Sequence, residues 1–277
     1  MISGPLIAAE EALRLLGRAV FLDARAGAAA AASYRAAHLP GARRADLDAD
    51  LSQIDDPAEG GRHPLPPLTT WLERLGRWGI GSSTPVLIYD AGGGGMAAAR
   101  AWWMLHAIGH RPLAVVDGGW QALCALGAAM ETGAPAFEEL GPYPSELATW
   151  PSVDADFVEK IRLDSSWRLI DARAPERHAG RTEPLDPIAG HIPGARSHYW
   201  QSQLTADGAF DSGESLRRRY AELLDGVPPE RVVCYCGSGV TACHLLLAME
   251  AAGLAGAKLY VGSWSEWCRQ DRPRAGE

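Results

Sequence analysis

Val232-Val233-Cys234-Tyr235-Cys236-Gly237-Ser238-Gly239-Val240-Thr241-Ala242 begins as a short apolar run and ends where a helical pattern begins. Its first four residues read as a buried strand. The residues 242–252 read as a helix, with Gly253 just beyond it in a C′ position. Between them lies a loop with two glycines, which lets the backbone curl tightly and turn N–H groups inward. In open α/β sheets, ligands bind beyond the carboxyl ends of the strands. The helix adds the positive end of its dipole. A cysteine at the head of such a loop has its thiolate stabilised by amides and dipole, which is a nucleophile's setting.

The rest of the chain repeats this plan. Pro85-Val86-Leu87-Ile88-Tyr89-Asp90 precedes Arg231-Val232-Val233-Cys234-Tyr235-Cys236 by 146 residues. Val20-Phe21-Leu22-Asp23-Ala24-Arg25 recurs as Arg168-Leu169-Ile170-Asp171-Ala172-Arg173, and His38-Leu39-Pro40-Gly41-Ala42 as His191-Ile192-Pro193-Gly194-Ala195. Val116-Asp117-Gly118-Gly119-Trp120 is matched by Tyr260-Val261-Gly262-Ser263-Trp264. The order is the same in both halves, and the period is far longer than a solenoid repeat. Two tandem domains are expected, at 1–130 and 152–277, joined by a linker at 131–151 within a Gly-, Pro-, Ala- and Glu-rich stretch. Val20-Phe21-Leu22, Val86 to Tyr89, Leu169-Ile170 and Leu259-Tyr260-Val261 read as further strands, and 8–16, 97–108, 157–163 and 216–224 as helices. The Ala/Gly tract at 26–32 reads as a surface loop or loose helix. Strand–helix alternation argues an α/β fold, each domain a mostly parallel sheet flanked by helices.

Composition narrows the function classes. The 277 residues are 47% hydrophobic and 22% charged, which suits a folded protein with real cores. A net charge of −8 argues against a non-specific nucleic-acid binder. No apolar run approaches the roughly 18–20 residues that span a bilayer. Met1-Ile2-Ser3-Gly4-Pro5 has no basic region, and Glu10 and Glu11 follow, so no secretory leader is expected. Five cysteines suit a reducing, cytoplasmic setting better than a disulfide framework. Cys124, Cys234 and Cys243 read as small core residues, and Cys268 as an exposed, oxidisable thiol. No Cys/His set has metal-ligand spacing and no Gly-Lys-Ser/Thr phosphate loop is present, so no cofactor is expected.

Two chemistries use a cysteine in such a loop. A phosphocysteine phosphatase needs an arginine six positions later to clamp the phosphoryl group, and that position is Ala242. A persulfide carrier needs only backbone donors and small hydroxyls around its terminal sulfur, and Gly237, Ser238, Gly239, Val240 and Thr241 offer them. Asp90, at the equivalent place in the first half, is no persulfide carrier and reads as structural.

Over nearly its whole length the chain resembles the two-domain rhodanese-family sulfurtransferases. The paired Asp-Ala-Arg and His-(Leu/Ile)-Pro-Gly-Ala motifs and Gly262-Ser263-Trp264-Ser265-Glu266-Trp267 carry the resemblance. Cys236-Gly237-Ser238-Gly239-Val240-Thr241 is similar to the loop of the subgroup that takes sulfur from 3-mercaptopyruvate. Thiosulfate-using relatives carry basic residues where this chain has Gly237 and Ser238, and a thiosulfate:cyanide sulfurtransferase is the alternative. The resemblance implies two rhodanese-like domains, the second catalytic through Cys236. It further implies a Ser238/His63/Asp48 proton relay and a substrate cation at Arg177. The family's second arginine has no match: Asp186 stands near its place, and Arg181 is the candidate substitute. A small-molecule sulfur donor and a thiol acceptor such as thioredoxin, or cyanide, are the implied partners, with neither nucleic acid nor membrane.

Overall fold

The computed structural model describes residues 2–95 and 97–276; Met1, Met96 and Glu277 lie outside the described residues. The chain divides into two compact units. Unit 1 is Met1–Ser52, Pro66–Trp150 and Ala206–Phe210; unit 2 is Gln53–Leu65, Pro151–Thr205 and Asp211–Glu277. Each unit therefore includes a short stretch from the other half of the sequence.

Unit 1 holds β1 (Leu6–Ile7), β2 (Val20–Asp23), β3 (Arg43–Arg44), β4 (Val86–Tyr89) and β5 (Leu113–Val116) in the order β1-β5-β4-β2-β3. Unit 2 holds β6 (Arg168–Asp171), β7 (Arg196–Ser197), β8 (Val232–Tyr235) and β9 (Lys258–Leu259) in the order β7-β6-β8-β9. Every ladder is parallel. The central strands β2, β4, β5 and β8 are buried along their whole length, which is why they read as continuous apolar runs rather than alternating ones. Register is the same in both units: Leu22 faces Ile88, and Ile170 faces Cys234.

The helices flank these sheets. Thr241–Ala251 is buried along almost its whole length, and Gly253 follows it at φ +74°. Asp154 caps Ala155–Ile161 by accepting the Phe157 N–H (2.8 Å), and Ser212 caps Gly213–Leu224 through the Ser215 N–H (3.2 Å). The Ala/Gly tract runs into a helix at Ala30–Ala36, whose Arg35 and Tyr34 the tract itself does not contain. The expected strand at Leu259 to Val261 is shorter, ending at Leu259: Tyr260 turns to bridge Val153. The stretch 127–150 forms neither helix nor strand, yet Leu140 N–H bonds Gly76 O and Tyr143 N–H bonds Leu72 O, so it lies strapped along unit 1.

Two thiols differ from the sequence reading. Cys124 is exposed, because it falls on the outer face of the Gly119–Ala125 helix. Cys268 is fully buried against the core of unit 2, and burial pushes its thiol up. Cys234 and Cys243 are core residues.

Candidate active site

The loop after β8 is held in place by the turn that precedes the Ser263–Trp267 helix. Cys236 O accepts the Trp264 N–H (3.0 Å), and Gly237 O accepts the Ser265 N–H (2.9 Å). Cys236 N–H donates to Ser263 Oγ (3.1 Å), and that hydroxyl donates to Tyr260 O (2.9 Å). Ser263 keeps this geometry at φ +55°, a strained value for a residue with a side chain. Gly239, at φ +74°, has no room for a Cβ, which would meet Val261 O at 2.5 Å. Cys236 is 2% exposed. Gly237, Ser238, Gly239 and Val240 are buried with it, and Thr241 opens the helix.

The segment Gln53–Leu65 packs in this same unit. Gly60 N–H donates to Glu266 Oε1 (2.9 Å), while Tyr260 Oη–H donates to Glu266 Oε2 (2.7 Å). Gly61, at φ +80°, lies so close that a Cβ there would sit 2.4 Å from Gly262 O. This staple delivers the next two residues to the loop. His63 Nδ1 and Ser238 Oγ are hydrogen-bonded at 2.8 Å. The Arg62 guanidinium reaches Gly237, where a Cβ would lie 3.2 Å from its Nη2.

Arg177 stands at the same glycine, with Nη2 and Nη1 at 3.3 and 3.4 Å from that Cβ position. Glu183 holds it through Nη2–Oε1 (2.6 Å) and Nε–Oε2 (3.1 Å). Glu183 also binds Arg173 (3.2 Å), which is fixed in turn on Asp171 and on Gly190 O. Asp186 pairs with Arg62 and with Arg269 (2.7 Å). Burial pushes the Asp186 carboxyl up, but hydrogen bonds from Arg62 and Arg269 outweigh this and hold it below its ordinary value.

Of the residues the sequence singles out, Cys236, Ser238, His63, Arg177 and the loop glycines therefore come together. Asp48 belongs to unit 1; it is exposed, and its N–H donates to Asp46 Oδ1 (2.9 Å). Arg181, expected as the second substrate cation, is exposed after the Pro175–His178 helix. The second guanidinium at Gly237 belongs to Arg62, a residue the sequence reading passed over. The doubled Gly60-Gly61 before it, both at positive φ, was the available signal of a tight approach.

In unit 1 the equivalent loop is closed on itself. The buried Asp90 carboxylate accepts the N–H groups of Gly92 (2.8 Å), Gly94 (2.9 Å) and Ala98 (3.2 Å). The loop and helix end thus gather around an anionic side-chain tip, and here that tip belongs to the protein.

No group of three or more His, Cys, Asp or Glu among the described residues is placed to hold a metal ion. No helix among them is long and apolar enough to cross a membrane.

Comparison with known proteins agrees with this architecture. The rhodanese-like domain matches the chain twice, over residues 8–126 and 154–270. A probable 3-mercaptopyruvate sulfurtransferase of Pseudomonas aeruginosa is 41% identical over 240 residues, 86% of this chain and 84% of that protein. A putative thiosulfate sulfurtransferase of Mycobacterium tuberculosis is 37% identical over 250 residues, 85% and 82% of the two chains. The solved 3-mercaptopyruvate sulfurtransferase from Leishmania major superposes with a TM-score of 0.87 at 31% identity, covering 98% of this chain and 75% of that one. With a rhodanese-like domain in each half and relatives more than 30% identical over most of its length, the chain belongs to the rhodanese family of sulfurtransferases.

Proposed function

We propose that the protein is a 3-mercaptopyruvate sulfurtransferase that works through a persulfide on Cys236. The thiolate of Cys236 attacks the donor sulfur. The carbon–sulfur bond breaks, its electron pair leaves with the carbon as pyruvate enolate, and the sulfur stays as Cys236–S–S⁻. The enolate takes up a proton through the hydrogen-bonded Ser238 and His63, and the donor's own thiol proton replaces it, which leaves the persulfide as its anion. A nucleophile such as a thiol, thioredoxin's included, or cyanide then attacks the outer sulfur and restores the thiolate. Asp48 is the relay's third member by family resemblance.

The observation that carries this reading is the closed loop around Asp90. An aspartate places its charged oxygens two bonds beyond Cβ, and a cysteine persulfide places its terminal sulfur likewise two bonds beyond Cβ. Asp90 takes three N–H groups in that position. The same fold with Cys236 in place of aspartate suits a charged outer sulfur.

Donor choice follows from the charges around Gly237. Arg62, Arg173, Arg177 and Arg269 are linked to Asp171, Glu183 and Asp186, four guanidiniums against three carboxylates, which leaves one positive charge among them. That matches a monoanionic 2-oxo acid thiol better than a dianion. Arg177 is the residue for its carboxylate. The protein works in the cytoplasm, where its five free thiols stay reduced. Steady-state turnover of both donors is the test. A preference for 3-mercaptopyruvate of at least about tenfold in kcat/KM is expected, the value of one charge-assisted hydrogen bond. Equal turnover of thiosulfate would make the protein a thiosulfate:cyanide sulfurtransferase instead.

A further inference from the structure

One short element holds both the nucleophile loop and the segment that carries His63. The helix Ser263–Trp267 gives the Trp264 and Ser265 N–H groups to Cys236 O (3.0 Å) and Gly237 O (2.9 Å). The next residue of that helix, Glu266, holds a different stretch of chain. Its Oε1 accepts the Gly60 N–H (2.9 Å), and its Oε2 accepts the Tyr260 hydroxyl (2.7 Å). Gly60 and Glu266 stand 206 residues apart, so this contact does not come from local folding.

The carboxylate has a seat of its own. It lies over Gly262, where a Cβ would collide with the Glu266 Oε2 and Cδ. Gly262 has an ordinary φ of −58°, so the glycine is needed there to make room for the glutamate and not to make a turn. Tyr260 is buried, and burial together with the Glu266 charge pushes its phenol up, so it stays a proton donor to the carboxylate.

What Glu266 holds is a closed loop. Gln53 N–H bonds Pro64 O (3.0 Å) across its ends, and Gln270 Nε2 donates to Ala58 O (3.1 Å). Gly60 and Gly61 take φ of +93° and +80°, and a Cβ on Gly61 would strike Gly262 O. His63 therefore sits between a pinned glycine pair and the closing Pro64. Its Nδ1 meets Ser238 Oγ at 2.8 Å. Nδ1 is the ring nitrogen nearer the backbone, so a shift of the 60–64 backbone passes to the hydrogen bond almost undiminished.

We infer that Glu266 is a positioning residue of the sulfur-transfer site. With Tyr260 it fixes the Gly60–Pro64 turn on the helix that also holds the Cys236 loop, and so keeps the His63–Ser238 hydrogen bond in register with the nucleophile. This deepens the proposed sulfurtransferase reading and rests on His63 and Ser238 moving the enolate's proton. Misplacing such a group by about 1 Å is enough to cost about a hundredfold in rate. Arg177, held by Glu183, keeps its place without Glu266.

A double-mutant cycle on the full-length protein tests this, read by two methods. Glu266→Ala is expected to lower kcat for 3-mercaptopyruvate at least about tenfold and to change KM less than about threefold. In a His63→Ala background the same substitution is expected to change kcat less than about twofold, because the group it acts through is gone. Tyr260→Phe, which leaves the Gly60 bond in place, is expected to lower kcat by a smaller factor. Long-range proton–nitrogen spectra of histidine-labelled protein read the hydrogen bond without any donor, with His63 assigned by its absence from His63→Ala. Glu266→Ala is expected to move the His63 Nδ1 signal to the position it takes in Ser238→Ala, where the bond is missing. Should Glu266→Ala fail to fold, Glu266→Gln keeps the bulk over Gly262, loses one of the two accepting oxygens and is read the same way. An unmoved His63 signal in a folded Glu266 variant overturns the inference. Equal losses of kcat in both backgrounds also overturn it, since Glu266 would then act on the Cys236 loop itself. A moved signal in a protein whose kcat responds to neither Glu266→Ala nor His63→Ala upholds the positioning and overturns the relay reading alone.

Discussion

At the scale of single residues, Cys236 and Asp90 occupy one structural position and have opposite fates. Asp90 has its charge already satisfied by three N–H groups, so its loop has no chemistry left to do. Cys236 has a side chain one atom shorter and gains that atom only when it carries sulfur. Treatment with donor is therefore expected to add one sulfur to Cys236 and to none of Cys234, Cys243 or Cys268, all of which are fully buried. Cys234 has its thiol pushed far up by burial, which leaves it no thiolate to react. Peptide mass spectrometry reads this directly, and Cys236→Ser is expected to abolish both the label and turnover with the fold intact. A label on another cysteine would move the nucleophile elsewhere. Cys236 was legible from the strand, loop and helix around it, and Ser238 and Arg177 through the family resemblance that their motifs carry. Arg62 and Asp186 were not, since an ion pair across 124 residues leaves no periodic or local trace. Placing Arg at 237 and Lys at 238 is not expected to exchange donors by itself. Those cations would meet Arg62 and Arg177 at close range, so the exchange needs Arg62 removed as well.

At the scale of elements, the buried parallel strands β2, β4, β6 and β8 announced themselves, as did the helices that end before Gly109 and Gly253, whereas the equally apolar β5 and the Leu68–Arg77 helix were not read. The two-residue strands β1, β3 and β7 gave no signal, because two residues carry no pattern and their pairing is set by the neighbouring strand. The strap at 127–150 read as a linker for a similar reason: it is held by a few hydrogen bonds and by the buried ring of Tyr143, not by a repeat. His110 ties that strap to the end of the Ala98–Ala107 helix, through Nδ1 and the Tyr143 hydroxyl (3.0 Å). Burial pushes the His110 imidazole down to about 4, so the folded protein keeps it neutral where the unfolded chain would protonate it. The unfolded state then binds the extra proton between about pH 6.5 and pH 4, and stability falls as pH falls through that window. Between pH 7 and pH 5 this one histidine withdraws about 2 kcal/mol. His110→Phe is expected to lower the unfolding midpoint at pH 7 by losing the Tyr143 bond, yet to flatten its acid dependence. Urea titrations of both proteins at the two pH values check this, and parallel losses would show that His110 is not the sensor.

At the scale of the whole molecule, the repeat made two domains plain, but the exchange of short stretches between the halves left no mark in it. Gln53–Leu65 comes from the first half of the sequence and belongs to unit 2, and Ala206–Phe210 does the reverse. A duplicated motif reports what each half has in common, whereas these stretches are where the halves differ. The consequence is that the second half of the chain is not the second unit. A fragment beginning at Ser152 keeps Cys236, Ser238, Arg177 and the whole of the sheet β7-β6-β8-β9. It loses Arg62 and His63, and it leaves Glu266 without the Gly60 N–H and Gln270 without its bond to Ala58 O. Loss of general acid–base help alone is worth about a hundredfold or more, and loss of a charge-assisted contact about tenfold further. The fragment is therefore expected to retain less than about one per cent of the full chain's turnover of 3-mercaptopyruvate. Its circular dichroism and its reaction with iodoacetamide report whether fold and thiol survive. A folded fragment with full activity would show that Gln53–Leu65 contributes nothing to the chemistry, and with it neither Arg62 nor His63.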